Sequence, residues 1–258
     1  LGKWAKFLSF ISSVFGYFGV LLIYLIIGGG FLTSALSPIF GGNNFIYTLG
    51  YFILGTTIIA FGIKAVSRIE FFSIALLILS LGIIVIKEFS NIKIGNIFSG
   101  PNLNLETLFL PYGAILFSLW GVGLIPEVEE MIRGNKKIIN KLIIIGSIIP
   151  AIIYFIFIIL VLGITGSQTT ESALIGLKGF LGNGFGNFIL LVASVVIFVA
   201  FCVQGLTFKK ILNYDLKIKS WQSLILACFV PMILFLIGVN QFIPLLSIIG
   251  GVFLGIDG

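Results

Sequence analysis

LFLPYGAILFSLWGVGLIPEVEEMIRGNKK, residues 108–137, begins as a membrane-spanning helix and then breaks its own pattern. Gly121, Gly123 and Pro126 fall in the middle and later half of an apolar run. Glu127, Glu129 and Glu130 follow at once, and Arg133, Lys136 and Lys137 make the next loop basic. Helix breakers free backbone groups that find no water inside a bilayer. They persist where the backbone lines a protein cavity, and there broken helix ends bind substrate. A plainer reading stands beside this one: Gly121 and Gly123 allow close helix packing, and Pro126 ends the span at the interface.

Working outward, the whole 258-residue chain has the composition of a membrane protein. It is 59% apolar and 9% charged, with a mean hydropathy of +1.24. Soluble chains carry about 25% charged residues. The apolar runs are continuous, whereas a membrane β-barrel would alternate over segments of roughly 10 residues. An all-α polytopic helix bundle is therefore expected. The net charge of +6 reflects basic loops, and no nucleic-acid partner is expected. Cys202 and Cys228 both lie in apolar runs and read as buried thiols. The absence of histidine removes imidazole from every metal, haem and proton-relay scheme. No metal site and no cofactor are expected.

A span needs about 20 apolar residues. Eight runs qualify: 9–36, 45–63, 71–87, 108–127, 139–163, 185–208, 221–239 and 242–258. They form a single transmembrane domain over 1–258. Leu1 is not Met and the chain stops inside an apolar run, so a piece incomplete at both ends is expected. Lys and Arg bias sets topology. With the N-terminus in the cytoplasm, only Lys87, Lys93 and Lys178 fall outside, and every other Lys and Arg faces the cytoplasm. Two external loops result. The loop 91–107 is Asn-rich; the loop 165–186 carries a helical middle and a Gly-rich exit. The second reads either as a lid or as a plain connector.

The candidate site follows from the break. An unwound stretch at 118–123 would expose main-chain groups near the midplane, with the N-terminal end of a second half-helix pointing at the gap. A carboxylate is favoured there by the helix dipole and free amides. Phe117 and Trp120 flank the gap, and Ser118, Gly121 and Gly123 form it. Glu127 is either part of a cytoplasmic gate or a solvated helix end. In the first span Tyr24 precedes Gly28 by four residues, which puts both near one helix face. Ser194 supplies a hydroxyl in the sixth span, as a ligand group or as interhelical glue. Asp257 lies 15 residues beyond Phe242, about 22 Å along a helix. An intramembrane carboxylate is a functional candidate by default. Catalytic carboxylate pairs, HExxH and CxxC are all missing, so an enzyme is not expected.

These residues resemble a family. FSLWGVGLIPEVEEMIRGNKK at 117–137, followed by a span with Pro150 and Tyr154, resembles the sixth and seventh helices of amino-acid permeases. YLIIGGGFL at 24–32 resembles the third, GLTFKKILNYDLK at 205–217 the loop after the eighth, and FVPMILFLIGVNQFIPLLSIIGGVFLG at 229–255 the ninth and tenth. The family is the amino acid–polyamine–organocation superfamily, nearest its amino acid/auxin and aromatic amino-acid permeases. The resemblance implies a leucine-transporter-type fold of two inverted five-helix repeats, with the eight spans as family helices three to ten. It implies secondary-active, alternating-access transport of an amino acid in a lipid bilayer. In sodium-coupled relatives a hydroxyl on the eighth helix helps bind the ion. Alignment on GLTFKK puts Ala200 at that place, with Ser194 almost two turns away. The coupling ion is H+ or Na+, and this departure leans toward H+ or exchange. A channel or an ion-translocating subunit is the alternative. Substrate identity and oligomeric state are left open by the sequence.

Overall fold

The computed structural model describes residues 2–98, 111–119 and 136–257. Among these residues the protein is a bundle of helices without strands. Helix α1 spans Lys3–Phe40, α2 Asn44–Phe61 and α3 Ile63–Glu88. Helix α4 covers Tyr112–Leu119, α5 Lys136–Thr165, α6 Ala173–Leu181 and α7 Asn183–Tyr214. Helix α8 spans Ser220–Leu236. Helix α9, Phe242–Ile248, runs on through a π-helical turn at Ile249–Leu254 into Gly255–Asp257.

Five of these helices are long and apolar enough to cross a membrane: 7–40, 44–61, 69–91, 137–168 and 184–214. The expected spans 221–239 and 242–258 form the shorter apolar helices 220–236 and 242–254. The expected span 108–127 is described only over its helical part, Tyr112–Leu119. With 38 residues, α1 is about 57 Å long, nearly twice the hydrocarbon core. It must tilt or project beyond the core.

Local sequence explains the joints. Gly41 ends α1 with φ 69°, a value that suits glycine, and its N–H bonds the Ser37 carbonyl at 2.9 Å. The Asn43 side chain then caps α2, accepting from the Ile46 N–H at 3.1 Å. Gly62 closes α2 in the same way, with φ 85°.

The centre is the α1–α7 pair, the most extensive helix contact in the bundle. Helix α2 packs on both members, and so does α8. Helix α3 packs on α7, while the π-helical end packs on α1 and α4. Between α1, α2, α7 and α8 lies the main core, including Leu21, Leu25, Phe52, Phe201, Phe208 and Met232. In lipid, such packing depends on close approach and small residues. Gly55 illustrates it: a Cβ there would lie 2.6 Å from the Phe201 ring. Helix α5 is different. No residue of its most apolar window is buried within the chain, as fits a helix that is hydrophobic all round.

Candidate functional site

The site is built on the middle of α1. The Tyr24 ring meets Phe117 of α4 edge to face, with centroids 6.4 Å apart at 72°. Both rings pack on an apolar cluster of Val20, Ile23, Ile249 and Leu254. One turn along α1, the Gly28 carbonyl accepts a hydrogen bond from Ser194 Oγ of α7 at 3.0 Å. Ser194 is 2% exposed. Next to it, Thr33 Oγ1 donates to the Gly29 carbonyl at 2.7 Å. Tyr24 thus meets Phe117 of α4, and one turn on Gly28 meets Ser194 of α7.

Tyr51 of α2 completes this corner, and nothing in its sequence surroundings marks it. Its hydroxyl occupies the space that a Gly28 side chain would need. Tyr51 is 3% exposed, and its Oη has no hydrogen-bond partner among the described residues. A buried hydroxyl without a partner costs about 1–3 kcal/mol, and such groups point to strain, function or an absent partner molecule.

Ser118 is exposed near the far end of α4. Its hydroxyl donates back to the Ile115 carbonyl at 2.9 Å. Its own carbonyl accepts from Tyr154 Oη of α5 at 3.3 Å. Tyr154 also lines an apolar cavity of about 290 Å³ with Phe31, Leu77, Ile84, Leu174 and Val196. The cavity therefore adjoins the segment that leads into the expected break.

Trp120, Gly121, Gly123 and Glu127 lie outside the described residues. Ala200 is half-buried on α7, between the buried Val199 and Phe201. Asp257 closes the helical end that follows the π turn. Among the described residues no group of His, Cys, Asp and Glu could hold a metal ion. One carboxylate missed by the sequence reading is Glu88, which is buried at the end of α3. It accepts a hydrogen bond from Asn91 Nδ2 at 2.7 Å.

A recurring device is visible. Irregular helix segments leave carbonyls short of N–H partners, and side chains from other helices supply them. Ser12 Oγ donates to the Phe253 carbonyl in the π turn at 2.7 Å.

A helical bundle with five helices long and apolar enough to cross a membrane has the form of a polytopic membrane protein. A sequence profile of the tryptophan/tyrosine permease family matches residues 1–179, and the chain belongs to that family. No curated protein and no solved structure gives a significant match. The protein is thus an integral multi-pass membrane protein and an amino-acid permease, a transporter rather than an enzyme.

Proposed function

We propose that the protein carries an aromatic amino acid across the membrane by alternating access, with the substrate held between α1, α4 and α7. The observation that carries this is that Tyr24 and Gly28, one turn apart on α1, meet Phe117 of α4 and Ser194 of α7 respectively. The substrate's carboxylate and amine would take main-chain groups of residues 118–123, including Gly121 and Gly123, with Phe117 and Trp120 beside its ring. Glu127 would serve the cytoplasmic gate. In the same reading Ser194, Ala200 and Asp257 bear on ion coupling, and protons are the favoured coupling ion over sodium.

The contact pattern supports an inverted repeat. Exchange α1 with α7, α2 with α8, and α3 with the last helix. The α1–α2 contact becomes α7–α8, α1–α8 becomes α7–α2, and α3–α7 becomes the contact of α1 with the π-helical end. These contacts exist, as expected of related halves in an inverted-repeat transporter, although the α2–α3 contact has no comparably extensive counterpart between α8 and the last helix among the described residues. The charge bias supports a cytoplasmic start for α1, with α6 on the outside.

Uptake by the full-length protein in liposomes tests the reading. Labelled tryptophan or tyrosine should accumulate under an inward proton gradient, and Gly121→Leu should abolish uptake without preventing insertion. If neither amino acid moves under a proton or a sodium gradient, the reading fails.

A further inference from the structure

Lys178 is one of the few cations that the charge bias leaves on the outer side. It sits on α6, half-buried, and its Nζ donates to the Ser34 carbonyl of α1 at 2.7 Å. That carbonyl is special for a reason written in the sequence. Four residues on, α1 carries Pro38, which has no N–H to return the usual helical bond. The carbonyl is thereby left for an outside donor, and an ammonium makes the strongest kind of hydrogen bond available to it.

The bond joins two elements around the apolar cavity. Helix α6 contributes Leu174 to the lining of the cavity. Leu174 and Ile175 pack against Phe31, Ala35 and Leu190, while Leu177 and Leu181 are buried against α3, α5 and α7. The hinge side is equally defined. Gly182 takes φ 79° between α6 and α7, and a Cβ on Gly186 would lie 3.0 Å from the Lys178 carbonyl. Helix α6 is thus seated by greasy contacts along its length and by a single charged tie to α1.

We propose that Lys178 is a latch. Its ammonium, docked on the carbonyl that Pro38 leaves free, holds α6 closed over the cavity and sets the ratio of closed to open forms. The Lys178–Ser34 bond must break for α6 to lift. Lys178 acts as a positioning residue and touches no substrate in this role. The latch deepens the transport reading above, but its test needs no transported substrate, so the two can fail separately.

The test uses the full-length protein in lipid nanodiscs, which leave both faces in water. Ala193→Cys places a thiol beside the cavity, where Ala193 packs near α6. Its reaction with a membrane-impermeant maleimide is timed against a blank that keeps the buried Cys202 and Cys228. Lys178→Met should raise the labelling rate about tenfold or more, the ratio expected from losing a hydrogen bond to a charged group. Lys178→Arg should restore protection. Adding Pro38→Ala to Lys178→Met supplies the missing N–H, so thermal stability should recover while the thiol stays exposed. If Lys178→Met does not fold, Lys178→Gln serves: it keeps a polar side chain but shortens it and removes the charge, and it should speed labelling severalfold. An unchanged labelling rate in Lys178→Met overturns the latch. So does full reprotection by Pro38→Ala in the double variant, because Lys178 would then be only a carbonyl's partner. Where Lys178→Gln is used instead, an unchanged rate overturns it too.

Discussion

Gly28 shows how much one missing side chain carries. Its carbonyl holds Ser194 and its bare Cα holds the Tyr51 hydroxyl. Gly28→Ala forces Tyr51 aside in a packed core, and overpacking of that kind costs about 1–3 kcal/mol. A lower unfolding temperature in detergent is the expected reading. Tyr51→Phe should do the reverse. It deletes a buried hydroxyl that has no partner among the described residues, so stability should hold or rise by about 1 kcal/mol. A clear fall in unfolding temperature would mean that the hydroxyl has a partner after all. The sequence alone offered Tyr24 and Gly28 as neighbours through the helical spacing of four. Tyr51 is one aromatic among many apolar residues of α2, and only the packing of α2 on α1 singles it out.

Among the elements, the contact of α4 with the last helix is the most sensitive. Gly113 of α4 faces Gly250 of the π turn, and a Cβ on Gly113 would lie 2.7 Å from the Ser247 backbone. Backbone cannot swing aside as a side chain can. Gly113→Ala should therefore push α4 away from the last helix and cost about 1–3 kcal/mol. Because Phe117 lies one helical turn on from Gly113, the same change should weaken uptake as well as lower the unfolding temperature. Weakened uptake with an unchanged unfolding temperature would mean that the contact positions Phe117 without holding the bundle together. At this scale the spans at 9–36, 45–63, 71–87, 139–163 and 185–208 were legible, because each is a long apolar run. The π turn was not: Ile249–Leu254 has the composition of any membrane helix, and only the structure shows it packed on α1 and α4.

For the whole molecule, the charge bias makes a prediction of orientation. Helix α7 has 32 residues, about 48 Å of helix, so its two ends reach opposite faces of the bilayer. Glu171, before α6, and Asp215, after α7, are both exposed. In intact cells Glu171→Cys should react with an impermeant thiol reagent, whereas Asp215→Cys should react only after permeabilisation. The opposite pattern would invert the topology and with it the outer position of α6. The reciprocal contacts of α1–α3 with α7, α8 and the last helix are likewise a property of the assembled bundle.

Composition and apolar run length decided that this chain lives in a membrane as helices, because in lipid each helix satisfies its backbone within itself. The glycines and proline at 121–126 and the resemblance at 24–32, 117–137, 205–217 and 229–255 pointed to an amino-acid permease, and the family match bears that out. Tertiary structure alone decided which carbonyls are answered by which distant side chains. Ser194 reaches Gly28, Tyr154 reaches Ser118, and Lys178 reaches Ser34. Sequence displays Pro38, which leaves the Ser34 carbonyl without its helical N–H partner. Which donor comes to it depends on how separate helices lie against one another.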